Sequence, residues 1–412
     1  MKYGLIGEKL GHSFSPEIHA QLADYSYELL ELSREELSSF MSRGEFRGIN
    51  VTIPYKEAVI PYLDFIDEAA KKIGAVNTVI NRGGSLYGYN TDYLGMRAMI
   101  VNKGISLSGK KTVILGTGGT SKTAHAVAES LGAREIITVS RKGGRGLITY
   151  GELYEKHSDA QIIINTTPVG MFPNSFDSPI DPAHFKELSG VIDAVYNPMK
   201  TPLVRRAREL GIKATGGLYM LVAQAYYASE LFLDTKYPEE KIEEIYLKTR
   251  AKKENIVLTG MPASGKSTVG RILAESLGRE LLDTDSMIAK AAGMPIPEIF
   301  EKYGEAHFRC LETEAIKAAS QRVGVIIATG GGAVLKSENV DALRSNGRIY
   351  FIDRPLASLI PTEDRPLSST REAIEARFEE RYPIYLSTLD VHADADCSAE
   401  CVATKIIGEH LK

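Results

Sequence analysis

Two glycine-rich turns, each directly behind an apolar run, are the parts of this 412-residue sequence best suited to hold phosphate. Gly260-Met261-Pro262-Ala263-Ser264-Gly265-Lys266-Ser267 follows Ile256-Val257-Leu258-Thr259 and fits G-x-x-x-x-G-K-[ST], with a helical pattern after it. Glycines let the backbone wrap inward-facing N–H groups around an anion at a helix start. Ala263, Ser264, Gly265, Lys266, Ser267 and Thr268 are the expected ATP-binding set, with Lys266 reaching the outer phosphates and the Ser267 hydroxyl ligating Mg²⁺. The second turn, Gly116-Thr117-Gly118-Gly119-Thr120-Ser121, sits between the strand pattern Lys111–Leu115 and the helical pattern Lys122–Leu131. It is of the dinucleotide type, with Ser121 where G-x-G-x-x-G has its third glycine. The next strand ends in Ser140-Arg141-Lys142, where an acidic residue would meet a ribose 2′-hydroxyl. A basic pair there favours a 2′-phosphate and hence NADP(H), on Gly116, Thr117, Gly118, Gly119, Thr120, Ser140, Arg141 and Lys142.

Hydroxyl, amide and acid groups recur around the dinucleotide turn. They lie in Gly11-His12-Ser13-Phe14-Ser15-Pro16, Asn50-Val51-Thr52-Ile53-Pro54-Tyr55-Lys56, Gly74-Ala75-Val76-Asn77-Thr78, Asn90-Thr91-Asp92 and Met220-Leu221-Val222-Ala223-Gln224. Such a set suits a small polyol, and a lysine with an aspartate suits proton transfer to a ketone that receives hydride. In this order the motifs resemble shikimate dehydrogenase, over about residues 1–248. The resemblance implies that Ser13 and Ser15 bind the carboxylate of shikimate and that Thr52, Asn77, Asp92 and Gln224 hold its hydroxyls. It further implies that Lys56 and Asp92 form the catalytic pair, and that Tyr196 and Gly217 line the substrate and the nicotinamide.

Beyond the second phosphate turn stand Leu281-Leu282-Asp283-Thr284-Asp285, His307-Phe308-Arg309-Cys310-Leu311-Glu312, Ala328-Thr329-Gly330-Gly331-Gly332, Asp364-Arg365-Pro366-Leu367 and Arg381-Tyr382-Pro383-Ile384-Tyr385. These resemble shikimate kinase, over about residues 255–412. On that resemblance Asp283 joins Ser267 at Mg²⁺, and Asp285, a catalytic residue with Lys266, points at the acceptor hydroxyl. Arg309 and Arg381 clamp the substrate carboxylate bidentately, Gly331 offers backbone, and Arg365 rides on a lid over the phosphates. The lid segment from Arg354 to Asp364 is short and lacks the additional arginine that often stacks on adenine, which touches nucleotide contacts.

These residues need elements to position them. At about 150 residues per domain, 412 residues exceed one core. Hydrophobic residues at 43% and charged residues at 25% exclude a disordered or collagen-like chain. β-Branched runs alternating with amphipathic stretches predict α/β structure: a mixed α/β substrate domain plus a Rossmann-type NADP domain, then a P-loop kinase domain with a parallel sheet. The expected boundaries are 1–105 for the substrate domain, with helices from about 218–248 folding back onto it, and 106–217 for the NADP domain. A polar linker at 249–254 and the kinase domain at 255–412 complete the chain. A net charge of -4 gives no global field for nucleic acid or anionic membrane, and no apolar run is long enough to span a bilayer. Three cysteines, Cys310, Cys397 and Cys401, indicate neither a disulfide framework nor a zinc site. A cytoplasmic enzyme is expected, acting on small molecules without nucleic-acid or membrane partners; a homo-oligomer is compatible with the sequence.

The resemblances together imply a bifunctional enzyme that reduces 3-dehydroshikimate with NADPH and then phosphorylates shikimate with Mg·ATP. A non-catalytic shikimate sensor is disfavoured because Lys56, Asp92, Lys266, Asp283, Asp285 and Arg309 all stand in their motifs. A quinate/shikimate dehydrogenase using NAD is disfavoured by Arg141 and by the paired Ser13 and Ser15. NADPH is therefore preferred over NADH. Arg141→Ala, by removing a charge-assisted contact of about 1.5–3 kcal/mol, should raise the KM for NADPH roughly tenfold or more and leave that for NADH nearly unchanged. Equal use of both cofactors by the unmodified protein would refute the assignment.

Overall fold

Aliphatic and β-branched residues gather in short runs, and in the computed structural model, which describes residues 2–11, 13–360 and 370–412, these runs form three sheets. The first contains β1 (Tyr3–Gly7), β2 (Glu28–Glu31), β3 (Gly48–Val51), β4 (Phe65–Ile66), β5 (Thr78–Arg82) and β6 (Ser85–Tyr89) in the order β2-β1-β3-β5-β6-β4. It is mixed: β1 pairs parallel with β2 and β3, whereas β5 runs antiparallel to β3 and β6. Ile6, Ile49, Val51 and Val79 are buried in the core beside it. The helix Leu218–Leu233 is apolar around much of its circumference and packs on the helices Thr91–Asn102 and Ser15–Leu22. Its Phe232 ring fills the space beside Gly48, where a Cβ would overlap the ring. Later sequence thus closes the first layer.

The second sheet is wholly parallel, with β7 (Lys111–Leu115), β8 (Glu135–Val139), β9 (Leu147–Ile148), β10 (Ile162–Asn165), β11 (Gly190–Asp193) and β12 (Lys213–Thr215) in the order β12-β11-β10-β7-β8-β9. The chain leaves β7 in one direction across the sheet and returns to its other side at β10. That reversal opens a crevice at the carboxyl ends of β7 and β10, the place where open α/β sheets bind ligands. The third sheet is also parallel: β13 (Asn255–Thr259), β14 (Leu281–Asp283), β15 (Ile326–Ala328), β16 (Gly347–Asp353) and β17 (Val391–Asp394), ordered β14-β15-β13-β16-β17. Alternate residues serve opposite faces: Val257, Ile327 and Phe351 enter one core, and Ile256, Ile326, Tyr350 and Ile352 the other. The architecture is the expected one of a mixed α/β layer, a Rossmann-type sheet and a P-loop-type parallel sheet.

Two features differ from the sequence expectation. Residues 249–253, read as linker, belong to the helix Glu240–Lys253, and the two compact units of the chain, 1–249 and 250–412, meet within it. Lys, Arg and Ala are good helix formers, and Arg250, Lys252 and Lys253 suit the negative end of the helix dipole, so a charged stretch that reads as a linker is the last turn of a helix. Cys397 and Cys401 are joined in a disulfide, with Cα atoms 6.1 Å apart, at the start of the helix Ala399–His410. Cys397 stands in the bend just before the helix and Cys401 in its first turn, a proximity that counting cysteines does not reveal. Cys310 is a free, exposed thiol.

In the second unit His410 is buried, with Nε2 2.8 Å from the Ala251 carbonyl and Nδ1 3.1 Å from the Tyr350 hydroxyl. Burial lowers its pKa to about 4. Above pH 6.5 both folded and unfolded forms are neutral. As the pH falls from 6.5 towards 4, only the unfolded chain takes the proton, so stability drops by up to about 1.4 kcal/mol per pH unit. Melting curves between pH 7 and 5 should show a falling midpoint for this unit, and His410→Gln should flatten that slope. An unchanged slope in the variant would show that His410 does not carry it.

Candidate functional site

Lys56 sits in the turn that follows β3, and Asp92 lies in the first turn of the helix Thr91–Asn102. The fold brings them into an ion pair, Lys56 Nζ to Asp92 Oδ2 at 2.5 Å, with side chains 15% and 12% exposed. Asn90 caps that helix by accepting from the Tyr93 N–H at 3.0 Å. Asn77, from the end of the loop entering β5, accepts the Thr91 N–H at 2.6 Å and donates to the Thr91 hydroxyl at 3.1 Å. Asn77 therefore spends its carboxamide oxygen on fixing the helix start that carries Asp92.

The remaining expected substrate residues lie on several other elements of the same unit. Ser13 Oγ accepts the Ser15 N–H at 3.2 Å, and Ser15 opens the helix Ser15–Leu22. Thr52 follows β3 directly, four residues before Lys56. Gln224 is buried on the helix Leu218–Leu233, and its Nε2 donates to the Leu221 carbonyl at 2.9 Å. Tyr196, in the loop after β11, sets its ring edge-on to Phe14 at 5.3 Å, between the two serines. Burial raises the Tyr196 phenol above its ordinary pKa. His12 lies outside the described residues.

The dinucleotide turn stands beside the same pair: a Cβ on Gly119 would come 3.7 Å from Lys56 Cδ. Gly118 precedes the helix Gly119–Ser130 with no side-chain cap, so the first N–H groups of that helix face outward. Ser121, in place of the third glycine, donates its hydroxyl to the Gly116 carbonyl at 2.7 Å and closes the turn. Gly116 has φ 110°, and a Cβ there would lie 2.8 Å from Thr166 Oγ1. Ser140 accepts the Gly143 N–H at 2.9 Å, shaping the loop that carries Arg141 and Lys142. Both basic residues are exposed, and among the described residues neither forms an ion pair.

Sequence reasoning missed a buried support under this crevice. Asn165 and Asp193 end β10 and β11 as register partners. Asn165 Nδ2 donates to Asp193 Oδ1 at 2.9 Å, which also accepts the Val195 N–H at 3.0 Å; Thr201 donates to Oδ2 at 2.7 Å. Burial raises the Asp193 carboxyl to about 6, against the pull of those donors. The three residues hold the loop bearing Tyr196. Strand pairing joins Asn165 to Asp193 and the following loop returns Thr201 to them, so no quoted motif announced the network.

In the second unit the phosphate turn runs from β13 into the helix Lys266–Leu277, with Gly260 at φ 148°, Ala263 at φ 65° and Gly265 at φ 93°. These angles turn the backbone into the ring the motif requires. Lys266 is buried, its Nζ 2.9 Å from the carbonyls of both Gly260 and Met261. Ser267 Oγ donates to Asp283 Oδ2 at 2.8 Å, while Asp283 Oδ1 caps the helix Thr284–Ala292 through the Ser286 N–H at 3.1 Å. Ala263, Ser264 and Thr268 flank the ring and the first helical turn.

A second cluster gathers around Gly330–Gly332. A Cβ on Gly330 would be 2.6 Å from Asp285 Oδ1, and one on Gly332 would overlap the Arg309 guanidinium. Arg309 is held by Glu312 at 2.8 Å and Glu305 at 2.9 Å. Arg381, on the helix Arg371–Thr388, is buried and donates to the Gly331 carbonyl at 3.2 Å. The Tyr385 hydroxyl, one turn further, lies 2.5 Å from the Gly331 carbonyl and 3.0 Å from that of Gly260, tying this cluster to the phosphate turn. Tyr385 and Glu312 stood in the quoted motifs without a role, and their tying function emerges only in three dimensions. Arg365 lies outside the described residues.

Fold and sites together define two phosphate-cofactor enzymes in one chain: a dinucleotide-linked oxidoreductase and a P-loop phosphotransferase. The profile of the shikimate dehydrogenase substrate binding domain matches residues 5–79, and that of shikimate kinase matches residues 262–410. A shikimate dehydrogenase (NADP(+)) of Clostridium perfringens is 37% identical over 262 residues, covering 59% of this chain and 96% of the relative. That of Clostridium beijerinckii is 38% identical over 261 residues, with the same coverages of 59% and 96%. Among solved structures, shikimate dehydrogenase 1 of Peptoclostridium difficile is similar at 40% identity and TM-score 0.56, covering 60% of this chain and 97% of that one. The Thermus thermophilus shikimate 5-dehydrogenase in complex with NADP(H) and shikimate is similar at 31% identity and TM-score 0.55, covering 60% and 99%. The chain belongs to the shikimate dehydrogenase family, and it carries a shikimate kinase domain at its C-terminal end.

Gly217 shows how tightly the first site is built. Its N–H donates to the Val195 carbonyl at 2.8 Å, and a Cβ would overlap the Ala194 carbonyl. Backbone cannot yield as a side-chain tip can, so Gly217→Ala should shift the Tyr196 loop at a cost of about 1–3 kcal/mol. Reductase kcat/KM should fall at least tenfold while shikimate phosphorylation stays unchanged. Full reductase activity in the variant would show that the contact does not matter.

Proposed function

We propose that this chain is a bifunctional enzyme that reduces 3-dehydroshikimate to shikimate with NADPH and phosphorylates shikimate with Mg·ATP to shikimate 3-phosphate. The observation that carries the first half is the partly buried Lys56–Asp92 pair at 2.5 Å beside the dinucleotide turn. Lys56 supplies a proton to the substrate carbonyl oxygen, and Asp92 orients the lysine and the adjoining hydroxyl. Ser13 and Ser15 take the carboxylate, Thr52, Asn77 and Gln224 the hydroxyls, and Tyr196 and Gly217 border the nicotinamide. Bound NADPH supplies the hydride. The outward N–H groups after Gly118 fit its pyrophosphate, and the unpaired Arg141 and Lys142 fit a 2′-phosphate.

In the second half Ser267 Oγ and Asp283 Oδ2 already share one point, a hard-oxygen donor set that fits Mg²⁺. When bound, that ion neutralises charge on the transferred phosphoryl group. Lys266 turns from its two loop carbonyls to the outer phosphates, Asp285 accepts the proton of the attacking hydroxyl, and Arg309 and Arg381 hold the carboxylate against the Gly331 backbone. Arg365 completes the proposed nucleotide set. The sensor alternative finds no support, because both catalytic clusters are intact. On this reading the enzyme works in the cytoplasm, where NADPH and ATP are supplied; separately, no described helix is long and apolar enough to cross a membrane.

The two chemistries should separate by mutation, since each cluster is built wholly within its own compact unit. Lys56→Ala should lower reductase kcat by about 10²–10⁴-fold, the range for losing a positioned proton donor, and leave phosphorylation of added shikimate intact. Lys266→Ala should do the reverse. Loss of both activities in either folded variant would contradict the assignment.

A further inference from the structure

The kinase unit holds an arginine that none of these roles uses. Arg354 directly follows β16, which pairs with β13 so that Phe351 lies opposite Thr259. It therefore leaves the sheet at the same end as the phosphate turn. Its Nη2 lies 3.8 Å from where a Cβ on Gly265 would stand. The adjoining carboxylate is engaged elsewhere: Asp353 Oδ2 accepts from the Tyr382 hydroxyl at 2.9 Å and meets His392 Nε2 at 2.8 Å. Among the described residues Arg354 forms no ion pair, and its Nε is buried without a hydrogen-bond partner. A half-buried guanidinium with an unsatisfied N–H is costly unless an anion completes it.

The sequence supplies a second reason. From Asp353 to Asp364 Arg354 is the one arginine, so it is the guanidinium this short segment offers a nucleotide besides Arg365 at its far end. We propose that Arg354 is a nucleotide-binding residue of the kinase unit, its guanidinium taking a phosphate oxygen of ATP beside Gly265. The inference rests on the kinase reading above. A guanidinium fork matches a phosphate as it does a carboxylate, and the neighbouring backbone ring is itself a phosphate cradle. The phosphates rather than the base are the partner that position provides.

The test measures binding of Mg·ATP and of Mg²⁺ with inorganic tripolyphosphate to the full chain and to its Arg354→Met and Arg354→Lys variants, together with the KM for shikimate. Arg354→Met should weaken both phosphate ligands about tenfold or more. Arg354→Lys should restore most of that loss, and the KM for shikimate should stay within about twofold in both variants, as for a residue outside the acceptor site. Weakened ATP binding with unchanged tripolyphosphate binding would mean a contact to the base and overturn the proposal. So would unchanged binding of both ligands, or an equal rise in the KM for shikimate. Should the methionine variant not fold, Arg354→Gln, which removes the charge and keeps a polar side chain, carries the test with the same expected loss of about tenfold for both phosphate ligands. Failure of the unmodified chain to phosphorylate shikimate would overturn the kinase reading itself, a result distinct from variants that bind as the parent does.

Discussion

Backbone N–H groups left unpaired at the first turn of a helix are, on the proposed reading, what both halves of this chain use to meet phosphate. A parallel strand is the element that can deliver such a turn into a crevice with its carboxyl end pointing at the ligand. β7 feeds the helix Gly119–Ser130 and β13 feeds the helix Lys266–Leu277, so the chain solves one electrostatic problem twice. The solutions differ in what closes the turn. In the first, Ser121 bonds back to Gly116 across the loop; in the second, buried Lys266 folds onto Gly260 and Met261 and is stored beside the phosphate position.

Around each cradle, charged side chains are held in place by neighbouring polar groups. Asp92 is aimed at Lys56 because Asn77 and Asn90 fix the start of its helix. Arg309 is braced by Glu312 and Glu305, and Arg381 by the Gly331 carbonyl. Tyr385 joins the acceptor cluster to the phosphate turn through two carbonyls that no other side chain spans among the described hydrogen bonds. Preorganisation of this kind lowers the reorganisation needed at the moment of transfer, which is where enzymes gain most of their electrostatic advantage.

How much of this was legible depended on the range of the physics. The two turns could be read because glycine at fixed spacing is a backbone requirement, and the Arg141–Lys142 pair because a strand end follows at a set distance. Lys56, Asp92, Arg309 and Arg381 carry ordinary side chains in loops and helices, and only the order of motifs, through family resemblance, singled them out. The support formed by Asn165 and Asp193 was invisible because their bond exists only once β10 lies beside β11 in register. Arg354 was quoted as part of the lid, yet its place beside Gly265 needs β16 next to β13. The stretch from Thr249 to Lys253 misled for the opposite reason: its charge marks a boundary, but its propensity is helical.

The central claim is that one polypeptide performs two consecutive reactions on one carbon skeleton. The most direct measurement supplies the purified chain with 3-dehydroshikimate, NADPH and Mg·ATP, follows NADPH oxidation and ADP release together, and identifies the product by mass. Two linked sites predict that shikimate 3-phosphate accumulates with one NADPH and one ATP consumed per molecule formed. Reduction that stops at shikimate, or ATP consumption without NADPH oxidation, would contradict it.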